Sequence, residues 1–136
     1  TYEVDYRYAS GITLNCSTSN RTGTRFEGTD GWVYVNRGKI DAGPKSLLRS
    51  VILPGEIHLY RSRSHRANFL ECVRTRAETV TPVEVGHRSA TMGHLGNIAM
   101  LLERPLRWSP EAETFVDDPE ANRLISRAMR GPWRLS

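Results

Sequence analysis

The sequence has 136 residues, with 19 Lys and Arg against 15 Asp and Glu, for a net charge of +4. This is the length of one domain at most, and 38% hydrophobic with 25% charged residues is the composition of an ordinary globular domain. The chain has no sustained heptad, no glycine period and no run of about 18 apolar residues, so coiled-coil, collagen-like and membrane-spanning classes are excluded. We expect no membrane partner.

Nearly all of the basic charge comes from arginine, since Lys39 and Lys45 are the only lysines. Arginine suits phosphate recognition, so nucleic-acid binding is a candidate function. The arginines run from Arg7 to Arg134 and are interleaved with acidic residues, whereas a nucleic-acid-binding domain concentrates them on one face. We therefore expect no nucleic-acid partner.

The first forty residues alternate apolar and polar side chains in short runs, which is the pattern of an antiparallel sheet with two unlike faces. Tight turns are predicted at Ser10-Gly11, Asp30-Gly31 and Arg37-Gly38. Together the runs predict a β-meander. Its strands cover about residues 4–8, 12–16, 24–27, 32–35 and 39–41.

Residues 42–61 predict a connection with a helical turn after Pro44, a bend at Pro54-Gly55 and a short strand over 56–60. The apolar period then becomes helical. Strands followed by helices favour an α+β fold, a mostly antiparallel sheet with helices packed on one face. The apolar residues are numerous enough to line the other face too, which indicates homo-oligomerisation there. The predicted later elements are helices over 64–76 (N-cap Ser64), 83–103 and 119–129 (N-cap Asp118) and a strand over 106–108.

The histidines and cysteines do not complete a metal site. His87 and His94 lie seven residues apart on one predicted helix, whereas zinc helices use a spacing of four with a carboxylate nearby. Cys16 and Cys72 are predicted to be buried free thiols, and a disulfide between them stays open. Gly28-Thr29-Asp30-Gly31 lies between two strands, so hairpin geometry explains these glycines without a nucleotide site. The residues alone therefore predict no catalytic site and no metal.

Several motifs resemble those of the Gfo/Idh/MocA family of oxidoreductases (glucose–fructose oxidoreductase, inositol dehydrogenase, MocA). The first is Glu27-Gly28-Thr29-Asp30-Gly31-Trp32, and the others lie in 64–74, 84–91 and 94–99 and in the tail from Leu106-Arg107-Trp108 to Pro132-Trp133. The resemblance covers essentially the whole chain. Within this family, the motifs are similar to those of a bacterial subgroup of dehydrogenases.

The resemblance implies that residues 1–136 are the C-terminal substrate and oligomerisation domain of a longer enzyme, cut from its N-terminal Rossmann domain. That domain would bind NAD or NADP and would carry the catalytic lysine. The implied reaction is hydride transfer between nicotinamide and a sugar, inositol or related polyol. By this reading the fragment alone binds no cofactor, contains no catalytic residue and is inactive.

The resemblance also nominates substrate-binding residues: His65 at a helix start, Asn20 and Arg21 in the turn before the Gly28–Gly31 hairpin, and His87 with Arg88 at the start of the long helix. The alternative is a non-enzymatic α+β interaction module that dimerises through its sheet face. We expect a cytoplasmic location, with periplasmic export as the alternative.

Overall fold

The computed structural model describes residues 1–132 and divides into two compact units, the second of which begins at Arg76. Five strands, a short 3-10 helix and one α-helix belong to the first unit. Two α-helices and a small hairpin belong to the second unit. The prediction of a single domain over 1–136 stays a prediction.

The strands of the first unit form close to the predicted positions, but in two separate antiparallel sheets. β1 pairs with β2, and β3, β4 and β5 pair in that order. The prediction of a continuous β-meander was therefore wrong at one point, since β2 does not pair with β3. The bounds are Glu3–Arg7 (β1), Thr13–Ser17 (β2), Thr24–Gly28 (β3), Gly31–Asn36 (β4) and Lys39–Gly43 (β5).

Gly31 makes the β3–β4 hairpin possible. Gly28 pairs directly with Gly31, so only Thr29 and Asp30 connect the two strands. Gly31 has φ +137°, and a Cβ there would collide with the carbonyl oxygen of Gly43 on β5. A side chain at this position would therefore disrupt both the turn and the β4–β5 pairing.

The β3–β4–β5 sheet has two unlike faces, as its alternation predicts. On one face, which we call the polar sheet face, Arg25 pairs with Glu27 (2.8 Å) and Lys39 with Asp41 (3.7 Å). The other face, the apolar sheet face, carries Thr24 at its edge and the apolar side chains of Phe26, Val33, Val35, Ile40 and Ala42 by register.

The rest of the first unit contains a 3-10 helix, Lys45–Arg49, and helix α1, His65–Thr75. The Ser64 hydroxyl accepts from Ala67 N (3.3 Å), which confirms the predicted N-cap. The strand predicted over 56–60 was wrong. Apolar and polar residues alternate in this segment, but no neighbouring strand pairs with it, and Ile57 and Leu59 are about nine-tenths exposed.

The second unit packs helix α2, Val83–Leu102, against a hairpin of β6, Trp108–Ser109, and β7, Thr114–Phe115. Helix α3, Pro119–Arg123, follows. Ile98, Phe115 and Ala121 are buried together, with Leu95, Leu102, Leu106 and Trp108 around them. The Trp108 and Phe115 rings meet edge to face at 5.1 Å.

The α+β class with antiparallel sheets is confirmed, while two later elements differ from the prediction. The strand lies at Trp108–Ser109 rather than at 106–108. The last helix ends at Arg123 rather than at 129, because Leu124 and Ile125 form i→i+3 bonds and remain 44% exposed instead of packing. No helix within residues 1–132 is both long and apolar enough to cross a bilayer.

Candidate functional site

A shallow groove of about 280 Å³ lies along the end of β2 and its connection to β3, and we call it the β2–β3 groove. The connection turns where Asn20 N donates to Ser17 O (3.4 Å) and Ser19 N donates to the Ser17 hydroxyl (3.1 Å). Gly23 completes it with φ +134°, since a Cβ there would lie 2.6 Å from Val35 O. The lining residues are Asn15, Cys16, Ser17, Thr18, Asn20, Arg21, Thr22 and Gly23.

Beside this groove, four side chains form a hydrogen-bonded chain that we call the amide relay: Glu3, Asp5, Asn15 and Asn20. Asn15 Nδ2 donates to Glu3 Oε1 (3.0 Å) and to Asp5 Oδ1 (2.8 Å). Asn20 Nδ2 donates to Asn15 Oδ1 (2.7 Å). The β1–β2 register places Asp5 opposite Asn15, which brings these groups onto one face of the hairpin. The relay therefore ends in the groove at Asn20.

Arg21 is held in the groove by stacking. Its guanidinium carbon lies 4.2 Å from the centre of the Tyr34 ring. Tyr34 is buried, and its hydroxyl donates to Thr22 O and accepts from Asn36 Nδ2 (3.0 Å), which fixes the ring. A stacked guanidinium keeps its N–H donors at its edge, and no side-chain hydrogen bond or ion pair to residues 1–132 occupies those of Arg21. They are available to an oxygen-bearing ligand.

His65 is the first residue of α1, directly after the cap Ser64. A second, more open groove of about 300 Å³ runs along this helix start, and Asn68 Nδ2 fixes one wall by donating to the Tyr60 hydroxyl (2.8 Å). The substrate role of His65 stays a prediction. The lining residues are Tyr60, Arg61, Ser62, Arg63, Ser64, Ala67, Asn68 and Glu71.

His87 and Arg88 meet at Glu113, in the turn between β6 and β7. Glu113 Oε1 accepts from His87 Nε2 (2.6 Å), and Arg88 NH1 lies 3.4 Å from the same oxygen. The hydrogen bond from His87 is the main cause that lowers the pKa of Glu113. Arg88 also donates to Glu84 Oε1 (2.7 Å) and to Pro110 O (2.9 Å), and the Glu84 contact raises its pKa. This pair therefore joins α2 to the hairpin turn of its own unit.

The predicted substrate residues thus fall into separate groups. Asn20 and Arg21 line one groove of the first unit, whereas His87 and Arg88 share a carboxylate in the second unit. The substrate roles of all four remain predictions.

The glycines of the β3–β4 hairpin do not form a dinucleotide site. A pyrophosphate cradle needs a glycine-rich loop between a strand and a helix, whereas Gly28 and Gly31 are paired residues of two adjacent strands. These residues therefore do not fit NAD or NADP, and the hairpin interpretation of the glycines is confirmed.

The cysteines are free, and only one is buried. Cys72 is buried in α1 as predicted, but Cys16 is exposed, so its predicted burial was wrong. Cys16 lies at the edge of the two-stranded β1–β2 sheet, where Tyr2 Oη approaches its Sγ at 3.9 Å. Within the described part of the chain, no group of three or more His, Cys, Asp or Glu side chains is placed to hold a metal ion.

Sequence reasoning missed Asn15, Tyr34 and Glu113. Asn15 gave a signal, since it stands at a polar position of β2 directly opposite Asp5, and Glu3 lies two positions from Asp5 on the same face of β1. Tyr34 was assigned to a strand, but nothing local predicts that Arg21 stacks on it thirteen positions away in the chain. Glu113 lay in a stretch with no predicted element, and its contact with His87 depends on how the hairpin packs.

The comparison with protein families identifies the class of this domain. The model described as the oxidoreductase family, C-terminal alpha/beta domain, matches residues 1–135. No curated protein and no solved structure shows a significant match.

Because the match covers nearly the whole sequence, the chain belongs to the Gfo/Idh/MocA oxidoreductase family as its C-terminal domain. The family is generally NAD(P)-dependent. Of the tail motif that suggested this family, Trp133 lies outside the described residues.

Proposed function

We propose that this chain is the substrate-binding and oligomerisation part of an NAD(P)-dependent oxidoreductase that acts on a sugar, inositol or related polyol. The reaction would transfer a hydride between a secondary alcohol carbon and nicotinamide. Membership of the oxidoreductase family supports the reaction class. The β2–β3 groove is the observation that supports the substrate class.

The groove offers a hydrogen-bond acceptor beside a set of donors. Asn20 presents amide groups at the end of the relay, and Arg21 presents guanidinium N–H groups held on Tyr34. A polyol needs such paired donors and acceptors, because each hydroxyl both gives and takes a hydrogen bond. Glu3 and Asp5, which carry the nearby negative charge, are engaged by Asn15 and do not line the groove.

The remaining nominated residues complete the proposal. His65 would contribute at the start of α1, and His87 and Arg88 at the start of α2. The cofactor and the catalytic groups would come from another domain of the same enzyme, which membership of the family as a C-terminal domain supports. We propose a cytoplasmic location.

Oligomerisation would use the apolar sheet face. Phe26 and Ile40 are about 60% exposed there, and Val35 is 38% exposed. Exposed apolar side chains in one contiguous patch favour burial against a second copy of the same face.

Replacing Arg21 tests the substrate assignment. In the full-length enzyme, Arg21→Ala should raise the KM for a polyol substrate about tenfold through the loss of charge-assisted hydrogen bonds. The kcat should change little, because Arg21 is proposed to bind rather than to react. The measurement is steady-state kinetics with myo-inositol and D-glucose as first substrates.

Arg25→Ala is the matched control. Arg25 also stacks on an aromatic ring, Trp32 at 4.6 Å, and pairs with Glu27, but it does not line the groove. It should leave KM unchanged. Equal changes in KM for Arg21→Ala and Arg25→Ala would contradict the assignment of the groove as the substrate site.

A further inference from the structure

We infer that Asn15 is a positioning residue: it fixes the Asn20 amide so that Asn20 Oδ1 accepts a hydrogen bond from a ligand hydroxyl in the β2–β3 groove. The inference rests on the proposed function, because it concerns the same groove: it adds that the ligand must present a hydroxyl to Asn20. The observation that carries it is the direction of the three hydrogen bonds of the amide relay.

The orientation of Asn15 is imposed by two carboxylates. Its Nδ2 uses both N–H groups, one toward Glu3 Oε1 (3.0 Å) and one toward Asp5 Oδ1 (2.8 Å). Ionised carboxylates only accept hydrogen bonds. Turning the amide over would place Asn15 Oδ1 against two acceptors and leave both carboxylates without their donor. The oxygen of Asn15 is therefore directed away from Glu3 and Asp5.

That orientation determines the orientation of Asn20. Asn15 Oδ1 is an acceptor 2.7 Å from the Asn20 amide, so the group that meets it must be the Asn20 Nδ2 donor. Asn20 Oδ1 then occupies the other branch of the amide, away from Asn15. No side chain or backbone group among residues 1–132 donates to this oxygen, and Asn20 lines the groove.

The chemical consequence is selectivity for a hydroxyl. An O–H group can donate to Asn20 Oδ1, whereas a carbonyl or ether oxygen at the same point would face it as a second acceptor. Arg21, the next residue, supplies donors for a neighbouring oxygen of the ligand. An amide free to turn over would accept either kind of group, so the two carboxylates set the preference without touching the ligand.

The test removes the orienting charges without changing the shape of the side chains. In the double variant Glu3→Gln and Asp5→Asn, each replacement both donates and accepts, so Asn15 can adopt either orientation. The matched control is Glu27→Gln with Asp30→Asn, which removes two charges from the same unit outside the groove. Asn20→Ala removes the proposed ligand contact itself.

Two measurements are made on the full-length protein. Titration calorimetry with myo-inositol and with D-glucose gives affinities, and NMR of ¹⁵N-labelled asparagine gives the hydrogen exchange of the side-chain amides. We expect the orienting double variant to bind about twofold more weakly, because two equally available orientations of the amide leave about half of the protein competent. Asn20→Ala should bind about tenfold more weakly. The Tm of the orienting variant and the affinity of the control should match the wild type. The Asn15 amide should exchange slowly in the wild type and faster in the orienting variant.

Different failures have different meanings. If Asn20→Ala weakens binding but the orienting variant does not, the positioning role of Asn15 is overturned while the groove stands. If neither Asn20→Ala nor Arg21→Ala affects binding, the proposed substrate groove is wrong, and the inference falls with it. If neither probe binds, the NMR measurement decides. Equally fast exchange of the Asn15 amide in the wild type and in the orienting variant overturns the relay. Slow exchange in the wild type and faster exchange in the variant supports it.

Discussion

Asp118 combines two roles in one carboxylate. Its Oδ1 accepts from Ala121 N (3.1 Å) as the N-cap of α3 and also from Arg104 NH2 (2.9 Å), while Oδ2 accepts from Arg104 NH1 (2.5 Å). The two-point contact with Arg104 is the largest cause that lowers the pKa of Asp118 to about 2. The ionised form is therefore favoured by folding.

This arrangement predicts how stability depends on pH. Because folding lowers the pKa of Asp118, its contribution is fully present above the ordinary value near 4 and is lost as pH falls toward 2. Asp118→Asn keeps a good N-cap but removes the ion pair. It should lower the Tm at pH 7 and reduce the fall of Tm between pH 5 and pH 2, as measured by circular dichroism.

Asp117→Asn is the control, because the Asp117 carboxylate is 91% exposed and lies 3.5 Å from Arg107. Asparagine also tolerates the left-handed backbone found at Asp117. This variant should reproduce the wild-type pH profile. A profile unchanged in both variants would contradict the assigned role of Asp118.

Glu113 adopts a left-handed backbone, φ +50°, where glycine is usual, and its carboxylate contacts His87 and Arg88. Glu113→Ala loses these contacts and keeps the strained backbone, whereas Glu113→Gly loses the same contacts and relieves it. We expect the glycine variant to melt about 3–5 °C above the alanine variant. Equal Tm values would show that the turn carries no strain at this residue.

At the scale of the elements, α2 contributes to the core of the second unit through one side. Ile98 is 5% exposed and packs with Phe115 and Ala121. Asn122 joins α3 to the same hairpin, since its amide both accepts from Phe115 N (2.8 Å) and donates to Phe115 O (2.9 Å). Both α2 and α3 thus contact Phe115 of the hairpin.

Truncation of the Ile98 side chain should therefore destabilise the second unit. Ile98→Ala should lower the free energy of unfolding by about 2–5 kcal/mol, through lost burial and the cavity left behind. Leu101→Ala on the same helix is the control, because Leu101 is 64% exposed, and it should cost about 0.5 kcal/mol. Chemical denaturation measures both, and similar losses would contradict the packing of α2 described above.

The elements themselves were largely predictable, because their signals are local. Alternation and turn glycines placed all five strands of the first unit, and capping residues placed the starts of α1 and α3. Two of the failures share one cause: residues 56–60 and 124–129 have suitable local patterns, but no neighbouring element pairs with the first or buries Leu124 and Ile125. The candidate site was less predictable, since only Asn20 and Arg21 were nominated for the groove.

At the scale of the whole molecule, the apolar sheet face predicts self-association. Light scattering during gel filtration should give a mass at least twice that of one chain for the full-length protein. Ile40→Glu places a charge in the proposed interface and should shift the protein toward the monomer, because a buried unpaired charge is costly.

Ile57→Glu is the control for this substitution. Ile57 is 89% exposed in the connection before α1, outside the apolar sheet face. It should leave the mass unchanged. A monomeric wild-type protein would contradict self-association. An Ile40→Glu protein that still associates fully would show that the interface lies outside the apolar sheet face.

The sequence by itself determined the α+β class, most of the strands and helix starts, and the family, because periodicity, caps, turn glycines and motifs are properties of neighbouring residues. Only the tertiary structure decided which distant side chains meet. Strand register brought Asn15 to Asp5, stacking brought Arg21 to Tyr34, and packing of the hairpin on α2 brought His87 to Glu113. Such contacts depend on pairing and burial across many residues, and no local pattern encodes them.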